Sequence, residues 1–246
     1  MTAPALCLLH GFTGSPLSWG IVTAALHQKR TVTTPCLLGH DGTNGQNGSE
    51  SFDDEVDRLA AQLEAQGLNP IHLAGYSMGA RLALGLLVRH QRLVARATLF
   101  AVHPGLETAD DRVVRRQSDR MWQELLRNGR LDAFVKKWEG QALFGSQQRL
   151  PHAVLRSQRE QRLSHHPAGL ARAIGVLGLG AMPNYRLSLP SLALPIDLVV
   201  GALDTRFLRL ARAMLSPLPQ VRLVVIPRCG HNVPLEEPHI AAQLLR

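Results

Sequence analysis

Leu73-Ala74-Gly75-Tyr76-Ser77-Met78-Gly79-Ala80-Arg81 is the stretch that decides how this chain folds. A short apolar run at 71–74 enters Gly75-x-Ser77-x-Gly79, and a helix-forming segment at 81–89 leaves it. Strand, sharp turn and helix in that order are what a nucleophile elbow requires, with the serine hydroxyl raised above a sheet on a strained turn. Glycine on each side permits the tight approach because it carries no Cβ. Ordinary usage of glycine and serine would place this pattern in about one chain of this length in ten. The motif therefore needs partners elsewhere before it carries a conclusion.

The flanking sequence has the matching rhythm. Upstream, 5–9 is a continuous apolar run of the kind that forms a parallel strand buried on both faces, and 31–37 reads as a second strand. Helical patterns fill 16–27 and 52–66, the latter opened by a Ser51/Asp54 variant of the capping box. Downstream, strands are expected at 97–102, 195–201 and 221–226, with helices at 207–215 and 236–245. The polar, Gly/Asn-rich stretch 42–51 reads as a mobile surface loop. Between 107 and 181 no strand pattern appears, only helical ones at 109–127, 131–138, 151–163 and 168–177. The expected architecture is an α/β fold with a mostly parallel, doubly wound sheet of about six strands. It forms one domain over 1–246, with a helical lid inserted after strand four at about 107–181.

Composition narrows the function classes. Hydrophobic residues at 45% and charged residues at 19% suit an ordinary globular domain, and no apolar run approaches the ~20 residues of a membrane span. The first residues carry no basic leader, so no signal peptide is read. Cys7, Cys36 and Cys229 lack Cys-x-x-Cys spacing and read as reduced thiols of a cytoplasmic protein. The net charge of +8 comes from dispersed arginines with only 4% aromatic residues among them. That pattern fits an acidic small molecule better than nucleic acid or a membrane surface. Monomer and homodimer both stay open.

A serine hydroxyl needs a histidine to take its proton and a carboxylate to orient that histidine. In a doubly wound sheet such groups lie beyond the C-terminal ends of the strands. Ser77, Asp204 and His231 each follow an expected strand, in the order Ser…Asp…His of this architecture. Asp197 begins a strand rather than ending one, so it belongs to the opposite rim. Two backbone donors for an oxyanion are available, Met78 after the serine and Phe12 in the Gly-rich loop after His10-Gly11. Arg81, one helical turn after Ser77, shares its face; an unpaired cation there is costly, and either a bound carboxylate or an internal acid would satisfy it. By spacing alone, Arg115 belongs to a charge run on a solvated helix face, and Trp122 and Trp138 are packing residues.

Taken together, these residues resemble the α/β-hydrolase superfamily over essentially the whole chain. Within it, His10-Gly11-Phe12-Thr13-Gly14-Ser15, Gly75-Tyr76-Ser77-Met78-Gly79-Ala80-Arg81 and His103-Pro104-Gly105-Leu106 look like one branch. Arg115-Arg116-Gln117-Ser118-Asp119-Arg120-Met121-Trp122, Trp138 with Phe144, and Gly230-His231-Asn232 complete the likeness. That branch is the 2-succinyl-6-hydroxy-2,4-cyclohexadiene-1-carboxylate synthases of menaquinone biosynthesis. The resemblance implies a lyase rather than a hydrolase, eliminating pyruvate from a tricarboxylate enol-pyruvyl substrate. It implies Ser77 as base with His231 and Asp204, Phe12 and Met78 as oxyanion donors, and Arg81, Arg115, Tyr76 and Trp138 as substrate contacts. It implies no metal and no organic cofactor. Leu38-Gly39-His40-Asp41-Gly42 departs from the family by one extra residue. A carboxylesterase or C–C bond hydrolase using the same triad is the alternative, and a catalytically idle binding module the third reading.

Overall fold

The computed structural model describes residues 3–26, 30–43 and 48–246. Its sheet holds six strands, all parallel, in the order β2-β1-β3-β4-β5-β6. They are β1 (Leu6–Leu9), β2 (Val32–Thr33), β3 (Ile71–Tyr76), β4 (Val94–Phe100), β5 (Ile196–Gly201) and β6 (Val221–Ile226). Parallel pairing puts every C-terminal strand end on one rim.

Side-chain alternation along the strands separates two cores. Leu6 and Leu8 point into one with Trp19 and Val22, where α1 (Gly20–Ala24) meets α10 (Pro238–Leu244). Cys7 and Leu9 point into the other, covered by α2 (Phe52–Ala65), α3 (Met78–Arg89) and α8 (Thr205–Ala213). The capping box at Ser51 and Asp54 forms and opens α2. Covering both faces explains why the strands read as unbroken apolar runs.

Between β4 and β5 come α4 (Ala109–Arg127), α5 (Leu131–Glu139), a 3-10 segment (Ala142–Arg149), α6 (His152–Leu163) and α7 (Pro167–Leu177), with no strand among the described residues. They share a small core of their own, Leu126, Phe134, Val135, Leu170, Ala171 and Ile174, against which Phe12 of the sheet rim packs. No helix among the described residues is long and apolar enough to cross a membrane.

Three expectations are corrected. The second strand, expected over 31–37, is only Val32–Thr33. Pro35 has no N–H to give a neighbour, and the next amides leave the sheet: Leu37 donates to His10 Nε2 at 3.3 Å and Leu38 to Glu55 Oε1 at 2.9 Å. The closing helix expected at 236–245 is two pieces, α9 (Val233–Glu236) and α10, parted because Pro238 pushes Glu237 out of helical geometry, to φ −139° and ψ 60°. The helix expected at 16–27 is a 3-10 turn (Pro16–Trp19) followed by the short α1, and its last residue lies outside the described residues. Positions 44–47 of the expected 42–51 loop also lie outside them.

Candidate active site

Ser77 is built by the crossing of α3 over β3. Its backbone takes φ 52° and ψ −106°, a conformation that costs a non-glycine residue about 1–3 kcal/mol. The crossing leaves no room for side chains beside it. A Cβ on Gly75 would lie 2.4 Å from the carbonyl oxygen of Gly79, and one on Gly79 would lie 2.2 Å from that of Leu9. The sheet fixes the other side, with the Ser77 N–H donating to the Phe100 carbonyl at 2.9 Å.

The partners arrive from two other strand ends. His231 follows β6, and its Nδ1–H donates to Asp204 Oδ2 at 2.6 Å; its Nε2 lies 3.0 Å from Ser77 Oγ. Asp204, after β5, uses its second oxygen to accept the Phe207 N–H at 3.2 Å, capping α8. That contact fixes the carboxylate, which fixes the imidazole tautomer and leaves the Nε2 lone pair for the serine proton. His231 and Asp204 are both buried, and Phe207 packs on the ring at 4.6 Å. The chain thus brings the predicted Ser77, Asp204 and His231 together. Asp197 stands where expected, early in β5, and is paired with Arg96 and Arg222.

A cavity of about 1260 Å³ opens on Ser77 and His231. Phe12 and Met78 line it, and neither N–H has a hydrogen-bond partner among the described residues. The loop carrying Phe12 is braced by neutral histidines. Thr13, at φ 61°, donates its N–H to His40 Nε2 at 3.1 Å and accepts from His165 Nε2 at 3.2 Å. Burial, then the neighbouring histidines, hold the His40 ring well below its ordinary range.

The cationic side of the cavity comes from Arg81, Arg115, Arg162 and the exposed Arg206. Arg81 donates to the Leu177 carbonyl at 2.6 Å and has no carboxylate within ion-pair distance among the described residues. Burial, then the nearby Arg115, pull its guanidinium down to about 9. Of the two ways to satisfy Arg81, an internal acid is therefore not the one used. Arg115 is pinned by Asp119 at 2.8 Å, so it faces the cavity from α4 as an ion pair rather than from a solvated run. Tyr76 lies with its ring 5.4 Å from that of His231, and burial pushes its hydroxyl up. Trp138 stacks on Phe134 at 5.7 Å and keeps a buried Nε1–H with no partner among the described residues. It is at once the packing residue that spacing predicts and a lining residue of the cavity.

Three residues of the site are not assigned by sequence reasoning. Arg162 is 5% exposed, pairs with Glu139 at 3.0 Å and leaves its Nε–H without a partner among the described residues. Its surroundings, Arg156, Arg159 and Arg162 on a polar helix, look like any solvated face. His103 lines the cavity and accepts the Gly105 N–H on Nδ1 at 3.1 Å. Burial, then Arg81, push it down to about 3, so it is neutral with its proton on Nε2. Glu236, a turn beyond His231, is buried against the loop that carries the histidine. Among the described residues no group of three or more His, Cys, Asp or Glu side chains could hold a metal ion.

An all-parallel sheet with a serine elbow, a histidine after the last strand and a carboxylate between them defines a class, and the chain belongs to the alpha/beta hydrolase family, whose model matches residues 8–244. Within it, a Bacillus subtilis relative is 32% identical over 243 residues, 98% of this chain and 88% of its own. The 2-succinyl-6-hydroxy-2,4-cyclohexadiene-1-carboxylate synthase of Escherichia coli O157:H7 is 31% identical over 96% of this chain and 89% of its own. Among solved structures, MenH from S. aureus superposes with a TM-score of 0.93 at 27% identity, covering 100% of this chain and 92% of that one. A malate-bound esterase from Thermogutta terrifontis superposes at 0.85 with 25% identity, over 100% and 89%.

Proposed function

We propose that this enzyme is a cofactor-independent lyase of menaquinone biosynthesis. It eliminates pyruvate from 2-succinyl-5-enolpyruvyl-6-hydroxy-3-cyclohexene-1-carboxylate to form 2-succinyl-6-hydroxy-2,4-cyclohexadiene-1-carboxylate. The observation that carries this reading is Arg81: a desolvated cation in the cavity, one helical turn from Ser77, with no acid of its own among the described residues. A substrate carboxylate supplies the missing partner. The relatives named for this reaction support the choice of substrate.

In this reading His231 Nε2 takes the Ser77 hydroxyl proton as Ser77 Oγ takes a proton from the ring. The C2–H electron pair of the ring becomes a C2=C3 bond, the existing C3=C4 pair moves to C4=C5, and the C5–O bond to the enolpyruvyl group breaks. The leaving enolate returns to pyruvate with the proton held by His231, so no oxidant, metal or cofactor enters the balance. Asp204 stabilises the imidazolium. Phe12 and Met78 N–H groups hold the oxygen on which charge grows. Arg81, Arg115 and Arg162 hold carboxylates, with Tyr76 and Trp138 against the ring. The helical segment over 107–181 acts as the lid of one domain spanning 1–246, working in the cytoplasm.

A carboxylesterase reading has one specific observation in its favour. The Ser77–His231 contact of 3.0 Å serves nucleophilic attack on a carbonyl as well as it serves proton abstraction, and an esterase shares the fold closely. The deciding experiment is pyruvate release from freshly generated substrate by wild type, Ser77→Ala and Arg81→Ala. Fast wild-type release, abolished in Ser77→Ala and strongly reduced in Arg81→Ala, is expected. Rapid cleavage of p-nitrophenyl esters without pyruvate release would replace the lyase with the hydrolase.

A further inference from the structure

The base of the site is held by a residue that does not touch the cavity. Glu236 ends α9, and its side chain is fully buried. Its carboxylate collects four donors. Oε2 accepts the Gly230 N–H at 2.9 Å and Arg149 Nη2 at 3.1 Å; Oε1 accepts the Ser146 hydroxyl at 3.0 Å and the Asn232 N–H at 3.3 Å. Gly230 and Asn232 are the residues on either side of His231. One anion therefore grips the peptide before the histidine and the peptide after it, which fixes where its Cα sits and how the ring leaves the chain.

The other two donors come from a different part of the fold. Ser146 and Arg149 belong to the 3-10 segment Ala142–Arg149 between β4 and β5. That segment lies directly on the histidine loop: a Cβ on Gly230 would stand 1.9 Å from Ser146 Oγ, and the Phe144 ring is 6.3 Å from that of His231. If the segment lifted, the buried carboxylate would keep only two neutral amide donors and lose its cation. A buried charge deprived of its partner is strongly disfavoured, so the loop geometry and the seating of the segment stabilise each other.

We infer that Glu236 is a positioning residue for His231, and that through Ser146 and Arg149 it makes the placement of the base depend on the seating of the helical segment over the cavity. Small misplacements of a catalytic group cost about 10²-fold in rate, so the link gives the enzyme a base that is aligned only when the cavity is covered. The inference rests on His231 acting as base, which the lyase and the esterase readings share.

Glu236→Gln tests it, because one amide oxygen cannot accept what two carboxylate oxygens do, and its NH2 would face donors. The full chain is assayed by pyruvate release and with p-nitrophenyl acetate, beside His231→Ala. The expected result is a fall in kcat of about ten- to a hundredfold with KM within twofold, and loss or shift of the downfield proton NMR signal of His231 Nδ1–H. Ser146→Ala combined with Arg149→Met, which leaves the loop donors intact, should give a smaller fall that is not additive with Glu236→Gln. If Glu236→Gln does not fold, that pair carries the test alone. Unchanged kcat and an unchanged downfield signal in whichever variant folds would overturn the inference. Full activity in His231→Ala would instead remove the base assignment on which it stands.

Discussion

Replacing Arg81 by lysine should convert a pH-independent substrate contact into a pH-dependent one. The guanidinium is held at about 9 against an ordinary 12.5, first by burial and then by Arg115, with Asp119 pulling the other way. A lysine ammonium starts lower, at about 10.4, and is more strongly hydrated. The same environment therefore brings it to about 7. The residue is only half-buried, and what remains exposed lines the cavity, so cavity water works against the full penalty and about 7 is a lower bound. The sign follows directly. Lysine at 81 is charged below that value and neutral above it, so its hold on a carboxylate is lost as pH rises. Wild type keeps its cation until pH approaches 9. The assay is kcat/KM for pyruvate release from pH 6 to 9, which reports ionisations of the free enzyme. The Arg81→Lys value divided by the wild-type value cancels the titration of His231, common to both. That ratio should fall about tenfold in all between pH 7.5 and 9, where wild type also begins to titrate, while Arg81→Ala gives a low ratio that changes by no more than about twofold. A flat ratio for Arg81→Lys would show that the site does not desolvate its cation, or that the cation does not meet the substrate.

Other consequences concern stability. His10, His72 and His103 are buried neutral, held at about 4, 3 and 3 against an ordinary 6.5, with burial the largest cause in each. The unfolded chain binds these protons first, so their contribution is complete above pH 6.5 and is lost as pH falls toward 4. Each costs about 1.4 kcal/mol per pH unit below 6.5, or about 6 kcal/mol for the three together at pH 5, on the order of a domain's whole stability. Urea midpoints should drop steeply from pH 7 to 5, less so in His72→Asn; a flat midpoint would count against buried neutral rings. Gly79→Ala should lower the melting temperature far more than Gly145→Ala, since the first Cβ meets the Leu9 carbonyl and the second meets open space. Equal melting temperatures would refute the close crossing of α3 over the end of β1.

What could be read beforehand follows from where each signal is stored. Parallel strands covered on both faces are mostly apolar, so 5–9, 71–74 and 196–201 announce themselves despite His72 and Asp197. Ser77, Asp204 and His231 were legible because each stands at a strand end, and the fold sends all such ends to one rim. Arg81 was legible because helical spacing ties it to Ser77. β2 was not, because an edge strand of two residues is defined by where its neighbours' amides go. Leu37 and Leu38 turn to His10 and Glu55, contacts 27 and 17 residues distant. The break before α10 is written locally, in Pro238. Arg162 and Glu236 lay beyond reach for a different reason. Their burial depends on how the segment between β4 and β5 folds back onto the rim, and no local period encodes that packing.

Apart from the exposed Arg206, the cavity arginines differ in a way that bears on selectivity. Arg115 carries its own Asp119, and Arg162 shares Glu139 with Arg159; each meets a carboxylate and can bind a ligand oxygen without first being rescued from isolation. Arg81 has only a carbonyl. A carbonyl offsets part of the desolvation cost of a cation and none of its charge, so Arg81 retains part of that cost. A substrate carboxylate at Arg81 removes that cost, whereas a neutral ester of the same size leaves it in place while excluding the water that partly relieved it. Sites built around a polar partner reject analogues lacking it by about 10⁴–10⁵, far more than shape alone achieves. The Ser77–His231–Asp204 arrangement is indifferent to which of these occupies the cavity. In the proposed reaction, discrimination between a polycarboxylate and a simple ester rests on Arg81, the cavity guanidinium that burial desolvates and that has no carboxylate within ion-pair distance among the described residues, one helical turn from the serine.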